Sequence, residues 1–180
     1  MENNTQHAPA ERADWEELHA QLQLIKNNSV IQGAVESCTE PHLILNSQRQ
    51  IVFANAAYRT WLEVRDPAKI VGCRPGEVVH CIHASEGEGG CGTSKHCRIC
   101  GAVNAVLKSI LGEPDVQKCS VTIDGMDAPL KLIVFTTPVN IKSQQFVLLT
   151  VSQEGPNSKD QLARQTFTLQ KHVQAIEAAD

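Results

Sequence analysis

The fold is decided by the stretch Leu43-Ile-Leu-Asn-Ser-Gln-Arg-Gln-Ile-Val-Phe-Ala-Asn-Ala-Ala-Tyr-Arg-Thr-Trp-Leu62. Two apolar runs, His42–Asn46 and Gln50–Ala54, are separated by Ser-Gln-Arg, which predicts two strands joined by a tight hairpin. The apolar spacing then changes to that of a helix over 55–62, with Asn55 as its N-cap. The local order is therefore strand, turn, strand and short helix.

The chain that follows this stretch predicts one longer helix and three more strands. Apolar residues recur at helical spacing over Gly101–Leu111, and Gly112 and Pro114 end that helix. Three strands are predicted over 116–123, 130–137 and 145–151, with turns at Asp124-Gly125 and at Asn140. Short helices and an antiparallel meander together place the chain in the α+β class.

The two ends of the chain carry predicted helices outside this core. Residues 1–11 are polar and without period, which predicts a flexible tail. A helix is predicted over 12–28 and another over 157–180, and each has a heptad-like apolar stripe that packs on its own domain or on a partner helix. The stripes consist of Trp15, Leu18, Leu22 and Ile25 in the first helix, and of Leu162, Thr166, Leu169, Val173 and Ile176 in the second.

The stretch 43–62 resembles the opening of a PAS domain, in which a strand hairpin leads into an "N-x-A" helix, here Asn55-Ala-Ala57. The resemblance covers about residues 30–153. It implies a five-stranded antiparallel sheet with short helices on one face, flanked by the terminal helices, in a module that binds or senses a signal. The loop 73–101 is also similar to a cysteine-rich insertion found in a subset of PAS proteins associated with bacterial sensor kinases.

Composition excludes several other classes of protein. The chain has 180 residues, 42% of them hydrophobic, and a net charge of −4 without a basic stretch, so nucleic-acid binding is not expected. The N-terminus has no signal-peptide pattern and no apolar run approaches the ~20 residues of a membrane span, so we expect a cytoplasmic protein without membrane contact. No nucleophile elbow, P-loop or Rossmann glycine motif is present, so we do not expect an enzyme.

Cysteine is the residue whose usage departs from the average. Five of the seven cysteines fall within 28 positions of the predicted loop, and clustered cysteines in a reducing compartment are usually metal ligands or redox thiols. Four of them share the spacing C-x9-C-x5-C-x2-C, which suits four-thiolate ligation of an iron–sulfur cluster or of Zn²⁺. These predicted metal ligands are Cys81, Cys91, Cys97 and Cys100.

The sensor fold that the resemblance implies ranks the candidate cofactors. In a sensor fold a redox-active iron–sulfur cluster provides a signal, whereas zinc only holds the loop, so the cluster is our first prediction, structural zinc the second and a dithiol switch the third. Flavin is disfavoured because Gly72-Cys-Arg-Pro75 lacks the residues that flank the Cys-Arg of flavin-binding photosensors, and haem is also not expected. Candidate additional ligands are His83, His80, His96 and Cys73, whereas Cys38 and Cys119 are interpreted as packing residues.

The resulting hypothesis is a sensory and signal-transduction module that binds its cofactor through the four-cysteine loop and responds to redox state or oxygen. We expect a homodimer formed through the terminal helices, acting on a separate sensor kinase or regulator. The alternatives are a PAS module that binds a small ligand with a structural zinc, or a dimerisation module alone.

Overall fold

The structure is a computed structural model that describes residues 5–155 and five positions of the C-terminal segment. Those five positions are helical, and they are Asp160, Arg164, Phe167, Lys171 and Gln174. The apolar stripe predicted for the C-terminal helix falls on residues outside the described ones, so its packing stays a prediction.

The core is a five-stranded antiparallel sheet with the strand order β2-β1-β5-β4-β3. This arrangement confirms the predicted α+β class and the five strands. The strands are β1 (His42–Leu45), β2 (Ile51–Ala54), β3 (Asp115–Val121), β4 (Leu130–Ile141) and β5 (Gln144–Gln153).

The helices are short, and in the part of the chain that the structure describes none is long and apolar enough to cross a membrane. The α-helices are α1 (Trp15–Asn27), α2 (Ser29–Glu36), α3 (Ala56–Trp61), α4 (Pro75–Val78) and α5 (Gly101–Ile110). Three 3₁₀ helices lie between α3 and α5, at Pro67–Lys69, Ile82–Ala84 and Lys95–Ile99. The predicted cysteine-rich loop therefore contains α4 and two 3₁₀ helices.

The β4–β5 turn lies two residues beyond its predicted position. Asn140 pairs with Gln145 within the ladder, and the turn is formed by Lys142 and Ser143, whose φ angles are 44° and 66°. The prediction of a turn at Asn140 is wrong because the strand is anchored on both sides of Asn140 by the buried Val139 and Ile141. Two consecutive residues with positive φ are the usual form of a tight two-residue hairpin.

Helices cover both faces of the sheet. On one face α3 and α5 pack against the inward side chains of the central strands. On the other face α1 and α2 pack, because Leu18 and Ile25 of the predicted stripe are buried against residues such as Ile44 and Leu148. The α1 stripe therefore packs on its own domain, and only Trp15 at its start is left 70% exposed. Helix α2 was not predicted.

The segment 5–14 packs onto the cysteine-rich loop and does not match the prediction of a flexible tail over 1–11. The backbone N–H of Gln6 donates to the Thr93 carbonyl at 2.9 Å, and that of Ala8 donates to the Gly92 carbonyl at 3.0 Å. Ala8 is fully buried. These contacts use mainly the backbone, so the polar composition of the segment gave no sign of them. We call residues 5–12 the N-terminal strap.

Asn55 joins the start of α3 to β1 and to the end of α2. Its Oδ1 accepts from the backbone N–H groups of Tyr58 and His42, both at 2.9 Å, which confirms the predicted N-cap. Its Nδ2 donates to three backbone carbonyls between residues 35 and 40. The asparagine of the "N-x-A" element is thus a buried hydrogen-bonding centre that fixes where α3 leaves the sheet.

Candidate metal centre

A cavity of about 320 Å³ lies between the sheet and α5. Its walls are mostly apolar, with inward residues of the sheet on one side and Val103 and Val106 of α5 on the other. Five of the seven cysteines also line it, while Cys38 and Cys73 do not. The lining cysteines are Cys81, Cys91, Cys97, Cys100 and Cys119.

Local structure directs the four predicted ligands to this cavity. Cys81 precedes the 3₁₀ helix Ile82–Ala84 and pairs with Ile123, next to β3. Cys97 lies in the 3₁₀ helix Lys95–Ile99, and Cys100 is the N-terminal cap residue of α5. Cys91 lies in the glycine-rich turn between them. The structure therefore brings all four predicted ligands to one cavity.

Two glycines allow the close approaches that form the site. A Cβ on Gly76 of α4 would lie 2.5 Å from Cys91 Sγ, so only glycine leaves room for this sulfur. A Cβ on Gly101 would overlap the carbonyl oxygen of Lys118, so glycine also allows α5 to start directly against β3.

Cys119 is the site residue whose position the sequence did not indicate. Its side chain is buried in the core, as predicted, but its Sγ also lies 3.8 Å from Cys100 Sγ. Alternation along β3 could have placed Cys119 on the inner face, whereas its contact with Cys100 depends on the packing of α5 against β3. The cavity therefore holds a fifth thiol beside the four predicted ones.

Burial raises the pKa values of the cavity thiols, whereas hydrogen bonding lowers the pKa of Cys100. Burial raises the pKa of Cys91 to about 12 and raises the pKa of Cys81. The pKa of Cys100 is lowered to about 6, first by the hydrogen bond from the Cys119 side chain and then by the backbone N–H groups at the start of α5. That same hydrogen bond, together with burial, raises the pKa of Cys119. A bound cation would supply the positive charge that the buried Cys81 and Cys91 thiolates need.

Buried cationic and unpaired polar groups in the cavity wall fit an anionic thiolate–metal group. Arg49 and Arg74 both line the cavity and are 5% and 0% exposed. Arg49 Nε and Tyr58 Oη are buried without a hydrogen-bond partner among the described residues. Buried donors are rarely left unpaired, and buried charge needs compensation, so these groups indicate that the cavity takes a polar or negatively charged occupant.

The spacing of the sulfurs bears on the choice of metal. Tetrahedral zinc with Zn–S bonds of ~2.3 Å needs its sulfurs about 3.8 Å apart. Among the described residues, three ligand atoms come within 4.8 Å of one another only at His83, Glu86 and His96, so no three of the cysteine sulfurs are that close. In this arrangement no three of the described cysteine sulfurs stand at the separation that a single tetrahedral zinc requires.

The other predicted ligands divide into two groups. His83 and His96 line the cavity and stack on each other, with ring centroids 4.2 Å apart. His80 is exposed, with a φ of 55°, and Cys73 is turned toward the Lys69 carbonyl at 3.6 Å. His80 and Cys73 are therefore not brought to the cavity.

Arg74 connects the cavity wall to the N-terminal strap. Its guanidinium donates to the Gly89 carbonyl at 2.6 Å in the cysteine-rich loop and to the Glu11 carbonyl at 2.8 Å in the strap. It also donates to the Gln48 carbonyl in the β1–β2 turn at 3.1 Å. Burial lowers the pKa of Arg74 to about 10, which leaves the side chain cationic at neutral pH. One buried side chain thus holds the loop, the hairpin and the segment leading into α1.

Comparison with known proteins identifies the fold through solved structures. No family model matches the chain, and no curated protein does. The RsLOV d2 variant aligns with a TM-score of 0.55 at 12% identity, over 83% of this chain and 82% of that one. The PAS domain of BvgS from Bordetella pertussis aligns with a TM-score of 0.50 at 14% identity, over 81% and 98%. The strand order and these likenesses show that the chain has the PAS fold.

Proposed function

We propose that this protein is a sensory signal-transduction module whose PAS core holds an iron–sulfur cluster through Cys81, Cys91, Cys97 and Cys100. The observation that carries the proposal is the convergence of four loop cysteines on one cavity inside the fold. A PAS cavity lined by sulfur favours a bound cofactor and a sensory role over catalysis. The redox state of the cluster, or its reaction with oxygen, would be the signal.

The residues around the cavity support a cluster in three ways. The cavity volume of about 320 Å³ exceeds what a single ion fills, and no three sulfurs are close enough to enclose one. The buried guanidinium groups of Arg49 and Arg74 would offset the negative charge of a four-thiolate cluster. Backbone N–H groups of His83 and Ala84 face the Cys81 sulfur and stabilise its thiolate form.

An iron–sulfur cluster supplies one-electron redox chemistry when it is bound. The protein's own residues determine how the site responds. The Cys119 and Cys100 sulfurs share a hydrogen bond, and the walls formed by the sheet and α5 are largely apolar. Both features influence the stability of a thiolate ligand, because hydrogen bonding and desolvation act on its charge in opposite directions.

The N-terminal strap offers a route from the site to the surface. The strap pairs with Gly92 and Thr93, directly after Cys91, and it continues into α1. A change in the loop would therefore move the start of α1, where Trp15 is 70% exposed. We propose that this exposed end and the C-terminal segment mediate homodimerisation, and that a separate kinase or regulator in the cytoplasm receives the signal.

Anaerobic purification with iron, sulfide and zinc analysis tests the proposal. We expect a brown protein with stoichiometric iron and sulfide and broad visible absorption that bleaches in air or on reduction. Cys97→Ser with Cys100→Ser should abolish iron binding, whereas the matched Cys38→Ser and Cys73→Ser variants should keep it, since neither residue lines the cavity. A colourless protein with one zinc per chain would overturn the cluster proposal.

The second candidate function is binding of a small organic ligand, with zinc as a structural element. The largely apolar cavity and the unpaired Tyr58 Oη favour this alternative. Under it, removal of zinc by a chelator should lower the melting temperature, whereas mutation of Tyr58 to Phe should weaken ligand binding without changing the zinc content.

A further inference from the structure

Three side chains at the exposed edge of the cavity form a compact group of nitrogen and oxygen ligands. His83 Nδ1 and His96 Nδ1 each lie 2.8 Å from one oxygen of the Glu86 carboxylate, His83 from Oε1 and His96 from Oε2. The two imidazole rings are stacked, with an interplanar angle of 21°. The group is held by the 3₁₀ helices Ile82–Ala84 and Lys95–Ile99, which carry the two histidines.

The geometry of this group suits a bound cation. Metal–ligand bonds of ~2.0–2.1 Å place adjacent ligand atoms of a tetrahedral site about 3.3 Å apart, so the 2.8 Å separations found here need to widen only slightly. Without a metal, each Nδ1–H donates to a carboxylate oxygen. With a metal, each imidazole would present its Nδ1 lone pair and carry its proton on Nε2. The change requires a tautomer switch and only a small movement of the side chains.

We propose that His83, Glu86 and His96 bind a divalent transition-metal ion such as Zn²⁺, Co²⁺ or Ni²⁺, at a site separate from the cofactor of the cysteine cavity. Two imidazoles and one carboxylate suit these ions, whereas Mg²⁺ and Ca²⁺ prefer oxygen ligands alone. The side chains are 28% to 42% exposed, so water can reach the ion and complete its coordination.

The charge of the group agrees with this site. Glu86 is exposed, and each of its two carboxylate oxygens accepts a hydrogen bond from one histidine, so the group contains one anionic and two neutral ligands. The nearest basic residues along the chain, Lys95 and Arg98, flank His96, and Arg98 is occupied by the Gln6 carbonyl at 2.6 Å. Among the described residues, Glu86 pairs with these two histidines and with no lysine or arginine.

Occupation of this site would restrain the loop that carries the sulfur ligands. His83 follows Cys81 by two residues, His96 precedes Cys97, and Cys91 lies between Glu86 and His96 in the chain. A cation that links the two histidines to Glu86 would tie both ends of this loop together. The ion would thereby stiffen the edge of the cavity, and its binding would be a second signal beside the redox state of the cofactor.

Cobalt titration of the full chain, with its cysteine site already reconstituted, tests the inference. We expect one further Co²⁺ per chain by calorimetry, with an absorption spectrum that lacks a sulfur-to-cobalt charge-transfer band. Glu86→Gln and His96→Ala should each weaken this binding at least ~10-fold. The controls are Glu88→Gln, an exposed carboxylate of the same loop, and His80→Ala, and both should bind Co²⁺ as the wild type does.

Two results would overturn the inference: unchanged Co²⁺ affinity in Glu86→Gln and His96→Ala, or a charge-transfer band showing that the added cobalt binds sulfur. Iron and sulfide analysis of the same samples separates this site from the cysteine site. Glu86→Gln should keep its iron, and the Cys97→Ser, Cys100→Ser double variant should lose iron yet still bind one Co²⁺ without the band. Thermal unfolding of each variant verifies that the chain is folded.

Discussion

The Sγ atoms of Cys100 and Cys119 lie 3.8 Å apart, although the residues are 19 positions apart in the chain. The contact exists because α5 starts against β3, where Gly101 approaches the Lys118 backbone. The pKa of Cys100 is lowered to about 6 by its hydrogen bond with Cys119, and the pKa of Cys119 is raised by the same bond. The shared hydrogen bond therefore favours the thiolate at Cys100 and the protonated thiol at Cys119.

Replacement of Cys119 by Ala should leave the iron content unchanged and shift the reduction potential of the bound cluster to a more negative value. The reason is that a hydrogen bond to a ligand sulfur stabilises the reduced, more negatively charged state. Anaerobic potentiometric titration measures the shift, with Cys38→Ala as the control. Iron loss as large as in Cys100→Ser would show instead that Cys119 is itself a ligand.

Replacement of Gly76 by Ala should reduce cofactor loading several-fold. The new methyl group would lie 2.5 Å from Cys91 Sγ, so either the sulfur or α4 must move. Gly33→Ala is the matched control because nothing lies within 4 Å of its Cβ position in α2, and it should stabilise the fold by roughly 0.5–1 kcal/mol. Equal iron content in both variants would contradict the prediction.

Replacement of Arg74 by Met should release the N-terminal strap. Backbone carbonyls of the strap and of the cysteine-rich loop would lose their buried donor, which should cost at least about 2 kcal/mol of unfolding free energy. Hydrogen exchange at the amides of Gln6 and Ala8 should accelerate, since both pair with the loop. Lys108→Met, which removes a surface ion pair to Asp115, is the control and should cost ~0–1 kcal/mol. Unchanged exchange in Arg74→Met would refute the proposed role.

His42 should make the fold less stable in mild acid. The ring is fully buried, with Nδ1 2.7 Å from the Glu40 carbonyl oxygen and Nε2 without a partner among the described residues. Burial lowers the pKa of His42 below its ordinary 6.5, so the unfolded chain takes up this proton at a higher pH than the folded one. The stability contributed by the neutral ring is complete above pH 6.5 and is lost as the pH falls from there through the folded pKa.

Urea unfolding at pH values of about 7.5 and 5.5, on either side of an ordinary histidine pKa, measures this effect. In His42→Gln the difference between the two unfolding free energies should be smaller than in the wild type. A variant with an unaltered pH dependence would assign the acid sensitivity to other groups.

Strand and helix periodicity in the sequence identified the architecture because each element has its own local pattern. The hairpin over 42–54, the Asn55 cap and the helix from Gly101 follow from residue spacing and capping chemistry, and all three are present. The β4–β5 turn was misplaced because Asn140 is a common turn residue, whereas the burial of Val139 and Ile141 keeps it in the ladder. At such positions the burial of neighbouring side chains outweighs the local turn propensity of a residue.

The sequence by itself determined the α+β class, the PAS-like order of elements and the four cysteines of the loop. It determined them because hydrophobic period and ligand spacing are properties of neighbouring residues. Only the tertiary structure decided that Cys119 joins these thiols, that residues 5–12 cover the loop, and that His83, Glu86 and His96 meet. These relationships connect residues far apart in the chain or depend on backbone contacts, and they arise only when α5 packs on β3 and the loop closes around the buried Arg74.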